Sequence, residues 1–196
     1  GAKTLENTLC SILGQNYSDI ESVVIDGGSS DGPLEILNRY QNKITHWISE
    51  PDRGLYDAIN KGIQLAKGEV IAALNSDDIY ADDTIVSQVV AFIQNHRLDA
   101  AYGDLVYVDP DNRSRVTRFW KAGRYRKGAF RYGWVIPHPT FFCKRDIFEK
   151  YGDFDPTFQI AGDFELMLRL IERHQIKIGY LPLVLVRMAK GGKANV

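Results

Sequence analysis

Two short acidic segments carry the side chains most able to do chemistry. The first is Asp26-Gly27-Gly28-Ser29-Ser30-Asp31-Gly32, the second Asn75-Ser76-Asp77-Asp78. Each follows an apolar, β-branched run: residues 20–25 before the first, 69–74 before the second. In an open α/β sheet, ligands bind just outside the carboxyl ends of the strands. Glycines there let a ligand approach the backbone. Neighbouring carboxylates on a short loop can hold a hard divalent cation, which takes oxygen ligands and recruits phosphates. Read from spacing alone, both segments are more simply Asp-rich turns and helix caps. Neither matches GxGxxG or GxxxxGK, which disfavours a dinucleotide fold and a phosphate-loop NTPase.

The elements that must position these loops follow from periodicity. Leu5, Leu9, Ile12 and Leu13 form a helix face, and Pro33 opens a helix reaching about residue 40. Residues 44–49 read as a strand. Leu55, Ile59, Ile63 and Ala66 make a helical stripe closed by Gly68, and Asp57, Asn60, Lys61 and Gln64 form its outer face. Ile85, Val89, Phe92 and Ile93 mark a further helix, capped by Asp82 or Asp83. This alternation predicts an α/β fold with a mostly parallel central sheet and helices on both faces. The later part differs. Residues 102–108 and 115–119 flank Asp109-Pro110-Asp111-Asn112, a hairpin signature, and a helix over 163–174 precedes two apolar strands.

The chain has 196 residues, 44% of them hydrophobic, and a formal net charge of -1. That composition suits one folded domain and argues against a nucleic-acid binder. Cys10 and Cys143 form no CxxC pair, so no disulfide scaffold or zinc site is expected, and a cytoplasmic setting is. The most apolar stretch, 181–186, is far too short to span a bilayer. No secretory leader is read before the first helix.

Several runs, taken in order, resemble glycosyltransferases of the GT-A fold, family 2. They are Ser11-Ile12-Leu13-Gly14-Gln15-Asn16-Tyr17, the segment from Val23 to Gly32, and Ser49-Glu50-Pro51-Asp52-Arg53-Gly54-Leu55-Tyr56-Asp57-Ala58-Ile59-Asn60-Lys61-Gly62. Gly68-Glu69-Val70-Ile71, Leu74-Asn75-Ser76-Asp77-Asp78, Pro137-His138-Pro139-Thr140 and Ala161-Gly162-Asp163-Phe164-Glu165 continue the match. The resemblance implies a Rossmann-like GT-A sheet. It places a nucleotide-sugar-binding half over about 1–98 and an acceptor-binding half over about 99–196. Such a fold has a central strand before its first helix; here the chain opens at that helix, so a sheet lacking that strand and a chain truncated at both ends are expected.

The resemblance also implies roles. Asp26 would meet the donor base, with Gly28 and Ser29 beside it, and Arg53 and Lys61 would contact the donor. Asn75-Ser76-Asp77 would stand at the family's Asp-x-Asp element, with Asp77 and Asp78 toward Mn2+ or Mg2+ and one charge fewer because Asn75 replaces the first Asp. Asp163 would be the general base; by pattern alone, with Phe164, Met167, Leu168 and Ile171 placing a helix just after it, it reads as a plain N-cap. Where many relatives have Glu-Asp, this chain has Gly162-Asp163. His138 and Trp134 would lie on the acceptor side. The implied activity is inverting transfer from a UDP- or dTDP-sugar to a saccharide or lipid-linked acceptor. Rival readings are a sugar nucleotidyltransferase and a donor-binding module without catalysis.

One feature is independent of the resemblance. No Asp or Glu lies between Asp111 and Asp146, while Arg113, Arg115, Arg118, Lys121, Arg124, Arg126, Lys127 and Arg131 interleave with Phe119, Trp120, Tyr125 and Trp134. The mix suits peripheral contact with the inner face of a membrane through 113–134. It suits a solvated hairpin over packed aromatics equally well. A homo-oligomer is compatible with the sequence.

Overall fold

The computed structural model describes residues 2–29 and 32–189. Ser30 and Asp31 of the first acidic turn, and the tail from 190, lie outside them. The expected helix–strand alternation is present. Helix α1 (Ala2–Leu13) precedes β1 (Val23–Asp26), α2 (Pro33–Tyr40), β2 (His46–Ser49), α3 (Leu55–Leu65) and β3 (Val70–Ala72). Then come β4 (Ile79–Tyr80), α4 (Ile85–His96), the fully buried β5 (Ala100–Val108) and β6 (Val116–Trp120). The chain continues through β7 (Phe142–Lys144), α5 (Arg145–Tyr151), α6 (Gly162–Met167) and β8 (Ile178–Ala189).

The fold class is α/β as expected, but the pairing is mixed rather than mostly parallel. β1 and β2 pair in parallel as a separate two-stranded sheet. The larger sheet runs β3-β7-β5-β8-β4, with β6 on β5. Within it only β5 and β8 are parallel. The reason is which strand arrives beside which. β3 is flanked by β7, which comes from the later part of the chain and runs oppositely, and β6 returns to β5 through a tight turn instead of a helical crossover. Among the described residues β1 pairs only with β2 and β3 only with β7, so the two sheets are not joined by backbone hydrogen bonds.

What joins them is α3. A Cβ added to Gly62 would sit 3.7 Å from Ile25 of β1. Ile59 and Ile63 of α3 pack in the same cluster as Ile71 of β3. The remaining apolar clusters follow the layers. Leu5, Leu9, Ile36 and Leu37 cover β1 and β2, and α4 places Ile85, Val89 and Ile93 on β5 and β8.

Local expectations needed four corrections. The expected strand over 69–74 forms only Val70–Ala72, and Gly68 is not a helix cap: α3 ends at Leu65, and the Gly68 N–H donates to Glu21. Thr84 occupies the N-cap position of α4, while Asp82, two residues earlier, accepts from its N–H and hydroxyl. The two late apolar strands are one strand, β8, interrupted by a bulge at 181–183 opposite Gly103. Pro182 has no N–H to give the ladder, and Gly103 makes room, since a Cβ there would lie 2.6 Å from Leu185 Cγ.

Candidate active site

Asp26 ends β1, and its carboxylate organises the turn that follows. One oxygen accepts from the Ser29 N–H at 3.1 Å and the Ser49 hydroxyl at 2.6 Å. Burial pushes this carboxyl up, but the hydrogen bonds from Ser29, Ser49 and the Gly28 backbone outweigh it and hold it below the usual range. Asp26 is therefore an anion at neutral pH. Gly28 adopts φ 81, a left-handed conformation, with its missing side chain facing Pro51 N at 3.4 Å. A Cβ at Gly27 would fall 2.2 Å from Asp52 Oδ2. These close approaches, and the Glu50 N–H donating to Asp26 O at 3.0 Å, bring the 26–29 and 49–53 segments into one surface.

Helix α3 extends that surface. Lys61 Nζ lies 2.8 Å from Glu50 and 3.7 Å from Asp57, which raises its pKa through the hydrogen bond to Glu50. Arg53 is exposed and pairs with Asp57 at 3.1 Å. The backbone and guanidinium of Arg53 hold the Asp57 carboxyl below its ordinary value. Both cations proposed for donor contact thus already have acidic partners. The polar face expected to be mere solvated surface is also structural. Asn60 donates to Phe154 O at 2.7 Å and accepts from Phe154 N at 3.0 Å, clamping α3 to the segment before α6.

The second acidic loop splits its two carboxylates. Asp77 is partly exposed. Asp78 is fully buried: one oxygen accepts from Asn75 Nδ2 at 2.9 Å, and the other has no hydrogen-bond partner among the described residues. Its backbone carbonyl accepts from the Thr8 hydroxyl at 2.7 Å, which ties the loop to α1. Burial raises the Asp78 carboxyl to about 7, with the negative charge of Asp77 adding to the effect and the Asn75 bond opposing it. The pairing of Asp77 with Asp78 toward one cation is not what this geometry favours, because Asp78 faces inward. Among the described residues no group of three or more His, Cys, Asp or Glu side chains could hold a metal. Asp77 and the Asn75 side-chain oxygen remain as hard ligands, a set that fits Mg2+ or Mn2+ bound largely through substrate phosphates.

Asp163 lies in the first turn of α6, behind Ala161, a non-glycine residue held left-handed at φ 63. Its carboxylate accepts from the Tyr56 hydroxyl at 3.3 Å, so the start of α3 reaches the expected base directly. Gly162 makes this contact feasible. A Cβ there would lie 2.7 Å from the Tyr56 ring, which stacks on Phe154 at 5.4 Å and 11°. Burial pushes the Tyr56 hydroxyl up, and the Asp163 charge adds to it. His138 sits edge-on to Phe154 at 5.4 Å; its packed surroundings lower its pKa, against the opposing pull of Asp163. Trp134 is instead packed into the wall: its indole donates to Ala122 O at 2.7 Å and its ring meets Tyr102, Tyr125 and Phe130.

Sequence reasoning missed Tyr56 and Asn60. Both lie inside the 49–62 motif, but a helical wheel shows only which face a residue takes, not the far segment it will touch. The departure at Gly162 was the available signal, since a glycine opening a helix beside the expected base implies close approach.

A parallel β1–β2 pair, a mixed main sheet and acidic loops at the strand ends define a GT-A glycosyltransferase architecture, and solved structures agree. S. aureus TarS in complex with UDP-GlcNAc superimposes with TM-score 0.74 at 20% identity, over 96% of this chain and 55% of that one. GalNAc-T7 with UDP, GalNAc and Mn2+ gives 0.76 at 21%, over 96% and 41%. The Glycosyl transferase family 2 profile matches residues 1–152, and the chain belongs to that family. It is 30% identical over 200 residues to a PGL/p-HBAD biosynthesis glycosyltransferase of Mycobacterium tuberculosis, covering 99% of this chain and 75% of that protein. The chain thus spans about half or less of the solved chains and three quarters of this relative. Among the described residues no helix is long and apolar enough to cross a membrane.

Proposed function

We propose that this domain transfers a sugar from a nucleotide-diphosphate donor, UDP- or dTDP-linked, to a saccharide or lipid-linked acceptor with inversion. We place it in the cytoplasm at the inner face of the membrane, where two free cysteines are compatible with a reducing setting. The observation that carries the reading is the reach of α3. At one end Tyr56 meets Asp163, and further along Lys61 meets the 50–51 loop packed against the Asp26 turn. The turn of Asp26 and the carboxylate of Asp163 are thereby both tied to one helix, as a two-substrate displacement requires.

In this reading Asp26, ionised and fixed by two hydroxyl-bearing residues, accepts from the nucleobase. Gly28 and Ser29 let the base come close. Arg53 and Lys61 trade part of their carboxylate pairing for the donor. Asp77, with Asn75 beside it, holds the divalent ion, which when bound neutralises charge on the departing diphosphate. Asp163 takes the proton of the attacking acceptor hydroxyl, and Tyr56 orients it. With one base and no enzyme nucleophile, the sugar inverts. The solved neighbours' complexes with UDP, UDP-GlcNAc and Mn2+ support the donor and the metal.

Asp163→Asn tests it. Removing the proton acceptor lowers turnover by about 10²–10⁴-fold while leaving UDP affinity unchanged. Unchanged turnover refutes the base, and an absence of any transfer by the unsubstituted chain alongside retained UDP binding favours a donor-binding module.

A further inference from the structure

We propose that the loop over residues 121–134, together with Ile160 of the segment that Phe164 ties to it, is a docking surface for an anionic lipid bilayer. The loop is built, not slack. The Ala122 N–H donates to the buried Asp104 at 2.9 Å and the Tyr125 N–H to the Tyr102 hydroxyl at 2.8 Å. The Gly128 N–H donates to Glu172 at 2.8 Å, and Trp134 closes the loop on Ala122 O. Gly123, Gly128 and Gly133 turn it with positive φ. Phe130 plugs into the core beneath and meets Phe164 edge-on at 5.6 Å, which joins the loop to the segment bearing Ile160 and Asp163.

What this scaffold holds outward is cationic and apolar at once. Lys121, Arg124, Arg126, Lys127 and Arg131 are exposed, and no ion pair engages them among the described residues. Tyr132 is 91% exposed and Ile160 84%. The upstream cations behave differently: Arg115 pairs with Asp109, and Arg118 lies over the Tyr107 and Trp120 rings. The outward surface is therefore 121–134 rather than the whole of 113–134. A soluble polyanion would use the cations but leave Tyr132 and Ile160 in water. A bilayer uses both, since phosphate headgroups meet the guanidinium groups while an aromatic and an aliphatic side chain enter the interface. The surface stands independently of the donor reading, and it would bring the Asp163 side of the domain to the membrane.

The experiment is co-sedimentation of the chain with phosphatidylcholine vesicles, with and without phosphatidylglycerol, without nucleotide or metal. Binding is expected only to the anionic vesicles and weakens with salt. Arg126→Glu/Lys127→Glu reduces it by at least about fivefold per cation lost. Tyr132→Ser/Ile160→Ser, which leaves every charge in place, also reduces it. Both variants alter exposed side chains, and unchanged thermal unfolding checks their fold. Binding to neither vesicle type, equal binding to both, or charge-only dependence with no effect of the Tyr132/Ile160 pair overturns the proposal. UDP titration of the same preparations is separate: vesicle binding without UDP binding sustains this surface and sinks the donor reading.

Discussion

Gly162→Ala is the substitution whose effect the structure constrains most tightly. The new methyl would lie 2.7 Å from Tyr56 Cε2 and 2.9 Å from both Cδ2 and Cζ. Carbon pairs prefer about 3.5–4.0 Å. The ring cannot easily retreat, because it is 8% exposed, stacked on Phe154 and bonded to Asp163. Overpacking of this kind costs about 1–3 kcal/mol. Alanine is intrinsically better than glycine in a helix by about 0.5–1 kcal/mol, which offsets part of the cost. The net loss is about 0.5–2 kcal/mol, a fall in Tm of about 1–8 °C for a chain of this size. Urea unfolding and a thermal scan read it, and a Tyr56→Leu background provides the control. With the ring gone, the same substitution becomes neutral or stabilising. A Gly162→Ala variant at least as stable as the parent, with Tyr56 present, would refute the close packing and with it the Tyr56–Asp163 arrangement.

Other expectations follow from single contacts. Asp78 holds its proton in the folded chain up to about pH 7 but loses it near the ordinary 3.8 when unfolded. Between those values the native state binds more protons, so this group's contribution to stability falls as pH rises. Asp78→Asn, which stays neutral, should therefore gain on the parent by about 1–3 kcal/mol near pH 8 and much less near pH 4, measured in EDTA. A gain independent of pH would contradict the inward, desolvated placement. Asn60→Ala loses both bonds to Phe154 and should cost about 1–3 kcal/mol by urea unfolding, where a surface polar residue would cost under about 0.5. Tyr56→Phe removes the hydroxyl that orients Asp163; kcat should fall while UDP affinity holds, and equal losses in both would assign Tyr56 to packing alone.

The sequence made the α-β rhythm legible because apolar spacing is a local property: the stripes of α1, α3 and α4 and the β5–β6 hairpin lie where periodicity put them. Strand direction in the main sheet was not local. β3 runs beside β7, and β4 beside β8, only because distant segments return there. The same limit applied to side chains. Asp77 and Asp78 are equivalent in sequence, yet the contact of Thr8 with the Asp78 backbone and the bond from Asn75 turn one of them inward. Trp134 was placed on the acceptor side by the resemblance alone, and its indole N–H needed a partner and found Ala122 O. The basic stretch likewise divided into a paired and an unpaired part according to what the hairpin placed beside each cation.

The most direct test of the donor site is calorimetric titration of UDP into the protein with Mn2+, then with EDTA, repeated on Asp77→Ala. The account predicts binding that requires the metal and disappears in the variant while its fold persists. UDP binding of equal strength in EDTA, or undiminished in Asp77→Ala, would contradict it.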